Sequence, residues 1–479
     1  MSAVLVLDVG KTNVKLSVAA PDGRLVETLS TPNPVLPGDP YPHHDLDGIE
    51  DWVLAGMRAL GERHAVEAVV ACGHGSGGVL VGDAAAALPM VDYEQPAPPA
   101  LDAAYRAAVG PFRERGSGVM LGMTHLARQM LFLERGWPDA FARARAFLAL
   151  PQYWAWRLSG VAASEVTSLA AQSHLWSALD GRRAAIVAER GWGRLLPPLR
   201  PAWAALGPLR PEVAARTGLP AGTRVLNGIH DSSANFYRYQ AAGLDDVTVV
   251  STGTWVVALS DRPGPSFDEE RPALCCNADV RGRPLTGLLA MGGRAFAAVA
   301  AGAAGPASRA ALDRIVEGGT MALPSFGPDD GLFPGTRGLG RIEGPDDPAL
   351  RHTLAVLHVA LLTDRCLDAV ATGTVVLDGP FTREPLYAAL VAALRPGRRV
   401  LVDRDGAGAA AGAALLCGHE KRTAPVRLDL DTPVPIDHPG LAPYAAAWRA
   451  RACQAVADTR RFENGSPRAG SMDDTGRHA

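Results

Sequence analysis

Two stretches about half a chain apart share one shape. Residues 4–20 read VLVLDVGKTNVKLSVAA, and residues 246–260 read DVTVVSTGTWVVALS. In each, an apolar, β-branched run meets a short polar turn, and a second apolar run follows at once. An amphipathic helix would space its apolar residues three or four apart. The pattern predicts strand, tight turn, strand, twice. Two equivalent hairpins so far apart predict two similar domains, each offering a phosphate-binding tip.

The first tip contains Gly10-Lys11-Thr12, the tail of a phosphate-binding P-loop. A Walker A site needs a second glycine five residues before Gly10, and that position is Leu5. It also needs a helix after the turn, whereas Val14, Leu16 and Val18 continue as a strand. The remaining possibility is a hairpin whose tip holds phosphate. Gly10 allows the tight turn, and Lys11, Thr12 and Asn13 supply donors beside an anion-binding concavity of backbone N–H groups. Asp8, at the end of the first strand, lies close enough to hold a hydrated Mg²⁺. From these residues alone, a plain hairpin with a polar tip fits equally well.

The length, 479 residues, exceeds what one ordinary core fills, and 47% apolar residues suffice for two. A net charge of −3 with no basic run along a helix excludes nucleic acid as the expected partner. The six cysteines show no CxxC spacing, which argues against zinc and against a disulfide framework. The first residues carry Asp8 within the apolar run and no basic leader, and no apolar run reaches about 18 residues. The expectation is a soluble cytoplasmic protein without a membrane partner. The polar, aperiodic end, DTRRFENGSPRAGSMDDTGRHA, is expected to be disordered.

Along the chain, helical spacing of Ile49, Trp52, Val53, Met57 and Leu60 predicts a helix over 45–63, capped by Asp45 or Asp47. A strand over Ala68–Ala71 leads into CGHGSGG. A helix over 124–135 is expected to be capped by Thr124 and stopped at Gly136. Residues 138–159 are expected to be helical in two pieces split at Pro151. His43-His44 has no completing ligand at metal spacing and reads as loop. In the second half, Leu350, Leu354, Leu357 and Leu361 mark a long helix over 349–371. TVVLDGPF reads as a strand into a turn, Pro385 opens a helix, and RRVLVD precedes the small-residue helix GAGAAAGAALLCG. Alternating strands and helices give an α/β fold class.

Phosphoryl transfer to an alcohol asks a protein for a carboxylate to take the hydroxyl proton, a metal, and donors around the phosphate. Asp231, in NGIHDSSANF, follows a strand and precedes a helix, where it either faces a cleft or caps that helix. His74 lies in a glycine-rich turn where a ligand can approach the backbone, or where a histidine simply packs.

Together these stretches resemble the FGGY family of carbohydrate kinases over roughly residues 3–420. LDVGKTNVKLSV resembles the first phosphate motif, in wording closest to the L-fuculokinase form. GHG at 73–75 resembles the sugar-contacting segment, GIHDSSA the segment with the catalytic aspartate, and STGTW at 251–255 the second phosphate motif. His-Asp combined with Ser-x-Gly-Thr-Trp is the wording of L-rhamnulokinases and L-fuculokinases. The resemblance implies two RNase H-like (actin-like ATPase) domains around a central cleft. It divides the chain into 1–241 for sugar, 242–455 for nucleotide, and a tail at 456–479. It also implies ATP, Mg²⁺, a small sugar as partner, and a homodimer as one assembly open to it. By the same resemblance, Asp231 is the general base and Asp8 the metal-side carboxylate. Lys11, Thr12, Asn13, Gly253, Thr254 and Gly379 bind the nucleotide, and His74, Gly75, His230 and Gln152 contact sugar. One departure stands out: LDGPFTREP replaces the consecutive glycines of the adenosine motif, which opens the question of an altered phosphate donor. The expected reaction is ATP-dependent phosphorylation of a ketose such as L-fuculose or L-rhamnulose, with pentuloses and polyols as alternatives. Beyond the kinases, an actin-like ATPase and a degenerate, sugar-sensing protein remain.

Overall fold

The chain begins as an antiparallel meander of β1 (Ala3–Val9), β2 (Asn13–Ala19) and β3 (Leu25–Pro32). The structure is a computed structural model that describes residues 3–465 apart from 272, 328–330, 371–372, 407 and 423–424, with side chains described to Asp458. The helix α1 (Leu46–Gly61) follows, capped by Asp45, whose Oδ1 accepts the Gly48 N–H at 2.9 Å. It delivers the chain to β4 (Val66–Gly73), which lies parallel to β1. Further on, α2 (Leu150–Ser159) packs over β4, and β5 (Ala205–Pro208), β6 (Arg224–Leu226) and β7 (Ile229–His230) complete the sheet. Its order is β5-β6-β4-β1-β2-β3, with β7 beside β4.

A second sheet repeats the plan after the helix α3 (Asp231–Ala241). Its strands are β8 (Val247–Thr252), β9 (Val256–Ser260), β10 (Leu274–Ala278) and β11 (Pro284–Ala290). Then come α4 (Arg351–Leu367), β12 (Thr374–Asp378), α5 (Pro385–Leu394), β13 (Arg399–Asp403), α6 (Gly408–Ala414) and β14 (Leu430–Asp431). The order is β10-β11-β9-β8-β12-β13-β14. In both sheets the first strand has an antiparallel hairpin partner on one side. On its other side lies a parallel strand reached through a helix. This is the doubled RNase H-like arrangement of the actin-like ATPase fold.

The two halves are tied by crossed helices. The helix α3 follows the first sheet yet packs Phe236 and Tyr239 onto Val247, Val249 and Val376 of the second. Conversely, α6 follows β13 of the second sheet and packs Ala410 and Ala413 onto Val4 and Val6 of the first. Where they cross, a Cβ on Gly412 would sit 1.8 Å from the Ala234 carbonyl oxygen, so the backbones touch. Arg238 on α3 reaches Asp403 Oδ2 at 2.5 Å, and the Tyr239 hydroxyl donates to the same oxygen at 2.9 Å.

Several local expectations differ from the structure. His125 occupies the position before the helix Leu126–Gly136 without a side-chain capping bond, and the Thr124 hydroxyl turns back to the Leu121 carbonyl at 2.6 Å. Residues 138–159 are divided by a strand, Ala146–Ala149, which pairs with Gly78–Val81. Pro151 lies in the first turn of α2, where its missing N–H costs nothing. His43-His44 forms a two-residue strand against Val35–Leu36. The second-half helix begins at Arg351 and ends at Leu367, after a 3₁₀ turn at Pro348–Leu350, and residue 371 lies outside the described residues. The helix α7 (Leu441–Gly465) runs through the start of the segment expected to be disordered; residues 466–479 lie outside the described residues. Among the described residues, no helix is long and apolar enough to cross a membrane.

Candidate active site

Strand alternation decides which side chains meet between the halves. On β1, Val4, Val6 and Asp8 share the face toward the crossed helices; on β8, Val247, Val249 and Ser251 do. Asp8 and Ser251 therefore open into one cavity of about 460 Å³, together with Gly10, Asp231, Asp378 and Gly379. Burial and the nearby Asp231 carboxylate push Asp8 up to about 6, partly offset by Lys15 on the facing position of β2. Burial and Asp403 also raise Asp378.

Asp231 is the first residue of α3 and does not cap it; His230 holds the cap position. Its side chain is 32% exposed. The contacts it makes fall on Oδ1: the Ser232 N–H at 2.5 Å, the Ser232 hydroxyl at 3.2 Å and His230 Nε2 at 3.1 Å. Oδ2 thus keeps its lone pairs for a further donor. The strand end that launches Asp231 is itself braced. The His230 N–H donates to Thr167 Oγ1 at 3.0 Å, and the Thr167 hydroxyl donates to Glu165 Oε2 at 2.6 Å. Glu165 is fully buried, and burial pushes its carboxyl up to about 7.

His74 follows β4 and stands beside Tyr93, with ring centroids 5.2 Å apart. Both its ring nitrogens are buried without a hydrogen-bond partner among the described residues. Burial lowers it to about 3, so it is neutral at physiological pH. A Cβ on Gly75 would lie 2.5 Å from the Ala171 Cβ and 3.2 Å from His230 Nε2, so only glycine lets the turn sit this close. His74, Gly75 and His230 thus form one group that runs into Asp231.

Thr12 and Asn13 are exposed at the first hairpin tip, which the Gly10 N–H closes onto the Asn13 carbonyl at 3.0 Å. Gly253 and Thr254 hold the equivalent second tip; a Cβ on Gly253 would meet nothing within 4 Å. Gly379 has φ +93°, and a Cβ there would lie 2.1 Å from the Thr252 carbonyl oxygen. The departure at 378–381 therefore keeps glycine at the tightest point, while Pro380 opens a 3₁₀ turn and Phe381 packs on Phe296.

Two expected contacts lie elsewhere. Lys11 turns from the cavity to an ion pair with Asp92 and lies 5.1 Å over the Tyr93 ring, because a largely buried carboxylate waits there. Gln152 is buried on α2, where Nε2 donates to the carbonyls of Asn227 and Gly228 at 3.1 and 3.3 Å. It braces the loop before β7. Among the residues that sequence reasoning missed, Asn235 stands one helical turn after Asp231 and donates to Ser251 Oγ at 2.6 Å, a spacing that could have signalled it. Gly408, at the start of α6, has its Cβ position 2.7 Å from Asp378 Oδ2. No sequence pattern points to Glu165 or Thr167.

A family model described as the C-terminal domain of FGGY carbohydrate kinases matches residues 244–425. The crystal structure of a carbohydrate kinase from Novosphingobium aromaticivorans is 30% identical with a TM-score of 0.83, over 94% of this chain and 98% of that one. A gluconate kinase from Lactobacillus acidophilus, at 15% identity, TM-score 0.79, and 96% and 99% coverage, shares the fold. L-Fuculokinase of Escherichia coli (strain K12) is 26% identical over 266 residues, 53% of this chain and 56% of the relative, so the match spans about half the length of that curated protein. By the whole-length match to a carbohydrate kinase and by the model that fits its second half, the chain belongs to the FGGY family of carbohydrate kinases.

Proposed function

We propose that this protein transfers the terminal phosphoryl group of ATP to a hydroxyl of a small sugar. The first candidates are 6-deoxy-ketoses such as L-fuculose and L-rhamnulose, since the curated relatives at 25–26% identity are named L-fuculokinases. One juxtaposition carries the reading: a partly exposed Asp231 with Oδ2 available, in a cavity shared with Asp8 and reached by both hairpins.

Asp231 is the group placed to accept the proton of the sugar hydroxyl, at Oδ2. The Glu165–Thr167–His230 chain orients it. His74, held neutral by burial, offers ring nitrogens to sugar hydroxyls beside it, while both ring nitrogens of His230 are engaged, by Asp231 Oδ1 and Ser233 Oγ. Thr12 and Asn13 from one lobe and Gly253 and Thr254 from the other present donors to phosphate oxygens. Gly379 and Gly408 keep the cavity floor free of side chains.

The residues present fit a nucleotide with a divalent ion. Asp8 and Asp231 crowd their charges into one cavity, and the buried Asn235 Oδ1 has no partner among the described residues. Asp8 would hold the Mg²⁺. When bound, the nucleotide supplies the phosphoryl group, and Mg²⁺ supplies charge that neutralises its oxygens.

A coupled ADP-release screen of the purified protein against ketoses and polyols tests this. Turnover well above the sugar-free rate with at least one acceptor is expected. ATP binding without stimulation by any acceptor across the panel would leave the sensing or ATPase readings in its place.

A further inference from the structure

A second polar cavity, of about 530 Å³, lies at the far end of α3 from Asp231. Three separate parts of the chain meet there: Tyr237 and Gln240 of α3, the β10–β11 turn with Arg281 and Arg283, and His419 and Arg422 beyond α6. Its basic wall is built. Arg422 Nη1 donates to the Tyr237 hydroxyl at 2.8 Å and Nη2 to the Leu415 carbonyl at 2.6 Å. His419 stacks on Trp203 at 3.9 Å between ring centroids, and its Nδ1 meets the Tyr237 hydroxyl at 2.7 Å. Arg283 is committed to Asp279 at 2.7 Å. Arg281 is exposed, and among the described residues its guanidinium has no ion pair. The positive field of Arg281 and Arg422 adds to burial in lowering His419. The opposite rim carries Asp245, Asp261 and Gln240, which suit hydroxyl groups.

We propose that this cavity binds a small phosphate monoester, or phosphate itself, with the anion against Arg281 and Arg422 and the hydroxyls of an ester toward Asp245 and Gln240. Planar guanidinium groups match phosphate oxygens, and Arg281, without an ion pair among the described residues, beside Arg422 is the recognition element. The site touches both connections between the lobes: the exit of α3 and the segment after α6. Along α3, the lining residues Tyr237 to Ala241 stand roughly 9–15 Å from Asp231.

Titration calorimetry on the full-length protein tests this, with inorganic phosphate and glucose 6-phosphate as probes, each with and without saturating ADP. Binding should persist with ADP present, and Arg281→Glu should weaken it at least about 10-fold. That side chain is exposed, so the substitution leaves the fold intact; Arg422→Gln, a more buried change, should act in the same direction. Tighter binding of the ester than of phosphate, reduced by Asp245→Asn, places its hydroxyls at the acidic rim; equal binding reduces the ligand to the anion. No heat at millimolar probe, unchanged affinity in Arg281→Glu, or loss of binding when ADP fills the cleft would each overturn the proposal. Binding is read without turnover, so failure of the kinase reading leaves this test standing.

Discussion

The two hairpins are the same object built with different chemistry. In the first sheet, three neighbouring ladder positions carry Lys15, Asp8 and Cys72 across β2, β1 and β4. In the second, the same positions across β9, β8 and β12 carry Val257, Ser251 and Asp378. The carboxylate stands on the central strand in one lobe and on the parallel neighbour in the other. The crossed helices differ likewise: α3 opens with Asp231, and α6 with Gly408. Backbone topology was duplicated and made the cleft. At matched positions the first wall carries the carboxylates Asp8 and Asp231, and the second carries Ser251 and Gly408, where the backbone comes close.

The strongest way to break this comparison is to erase the acid on α3. Asp231→Asn is isosteric and should lower kcat by at least about 10²-fold while leaving ADP binding by calorimetry near the parent value. A near-parent kcat would mean the asymmetry between the helices has no catalytic content.

Next in size is the pH effect of one carboxyl in the first lobe. Buried Glu165 has no cation among the described residues, whereas Asp403 in the second lobe is held by Arg238 and Tyr239. Glu165 is raised from 4.5 to about 7, so the folded protein holds a proton there that the unfolded chain releases. That contribution is complete below pH 4.5 and is lost as pH rises through 7. It amounts to roughly 3 kcal/mol over the window. Glu165→Gln should flatten this part of the stability–pH curve in thermal unfolding; an unchanged slope would show that the group ionises freely.

The crossing itself can be probed with a methyl group. Gly412→Ala places a Cβ into the Ala234 carbonyl and should cost about 2 kcal/mol, within the overpacking range, read as a lowered Tm. The same change at Gly253, where nothing stands within 4 Å, should leave Tm nearly unchanged. Equal effects at both glycines would contradict the close contact of α3 and α6.

The smallest effect belongs to the neutral counterpart of Asp8. Ser251→Ala removes the acceptor for Asn235 Nδ2, a loss of about 1 kcal/mol, and should change kcat/KM by less than about 10-fold. A loss as large as that of Asp231→Asn would mean that Ser251 itself takes part in the chemistry.

Much of this fold is legible along the chain. Val4, Leu5, Val6 and Leu7 before Gly10, and Val247, Val249 and Val250 before Gly253, are local patterns that announce strands wherever they occur. Asp45 capping α1 is local too. The misses share another cause. Thr124 does not cap its helix, because His125 takes the position before it, with its ring held by the Gln172 carbonyl and the Met120 N–H. Ala146–Ala149 becomes a strand because Gly78–Val81, far off in the chain, offers it a ladder. Lys11 left the expected phosphate site because Asp92 lies within reach.

The sequence alone determined the doubled hairpins and the helix-linked parallel strands, because periodicity and turn chemistry are properties of neighbours; Asp8, His74 and Asp231 stood out as polar residues at strand ends, and Gly379 came only with the family resemblance. Only tertiary structure decided that Asp8 and Asp231 share a cavity, that Glu165 and Thr167 brace His230, and that Arg281 and Arg422 share another. Burial, field and hydrogen-bond reach are set by which distant segments the crossed helices bring together, and no local pattern carries that information.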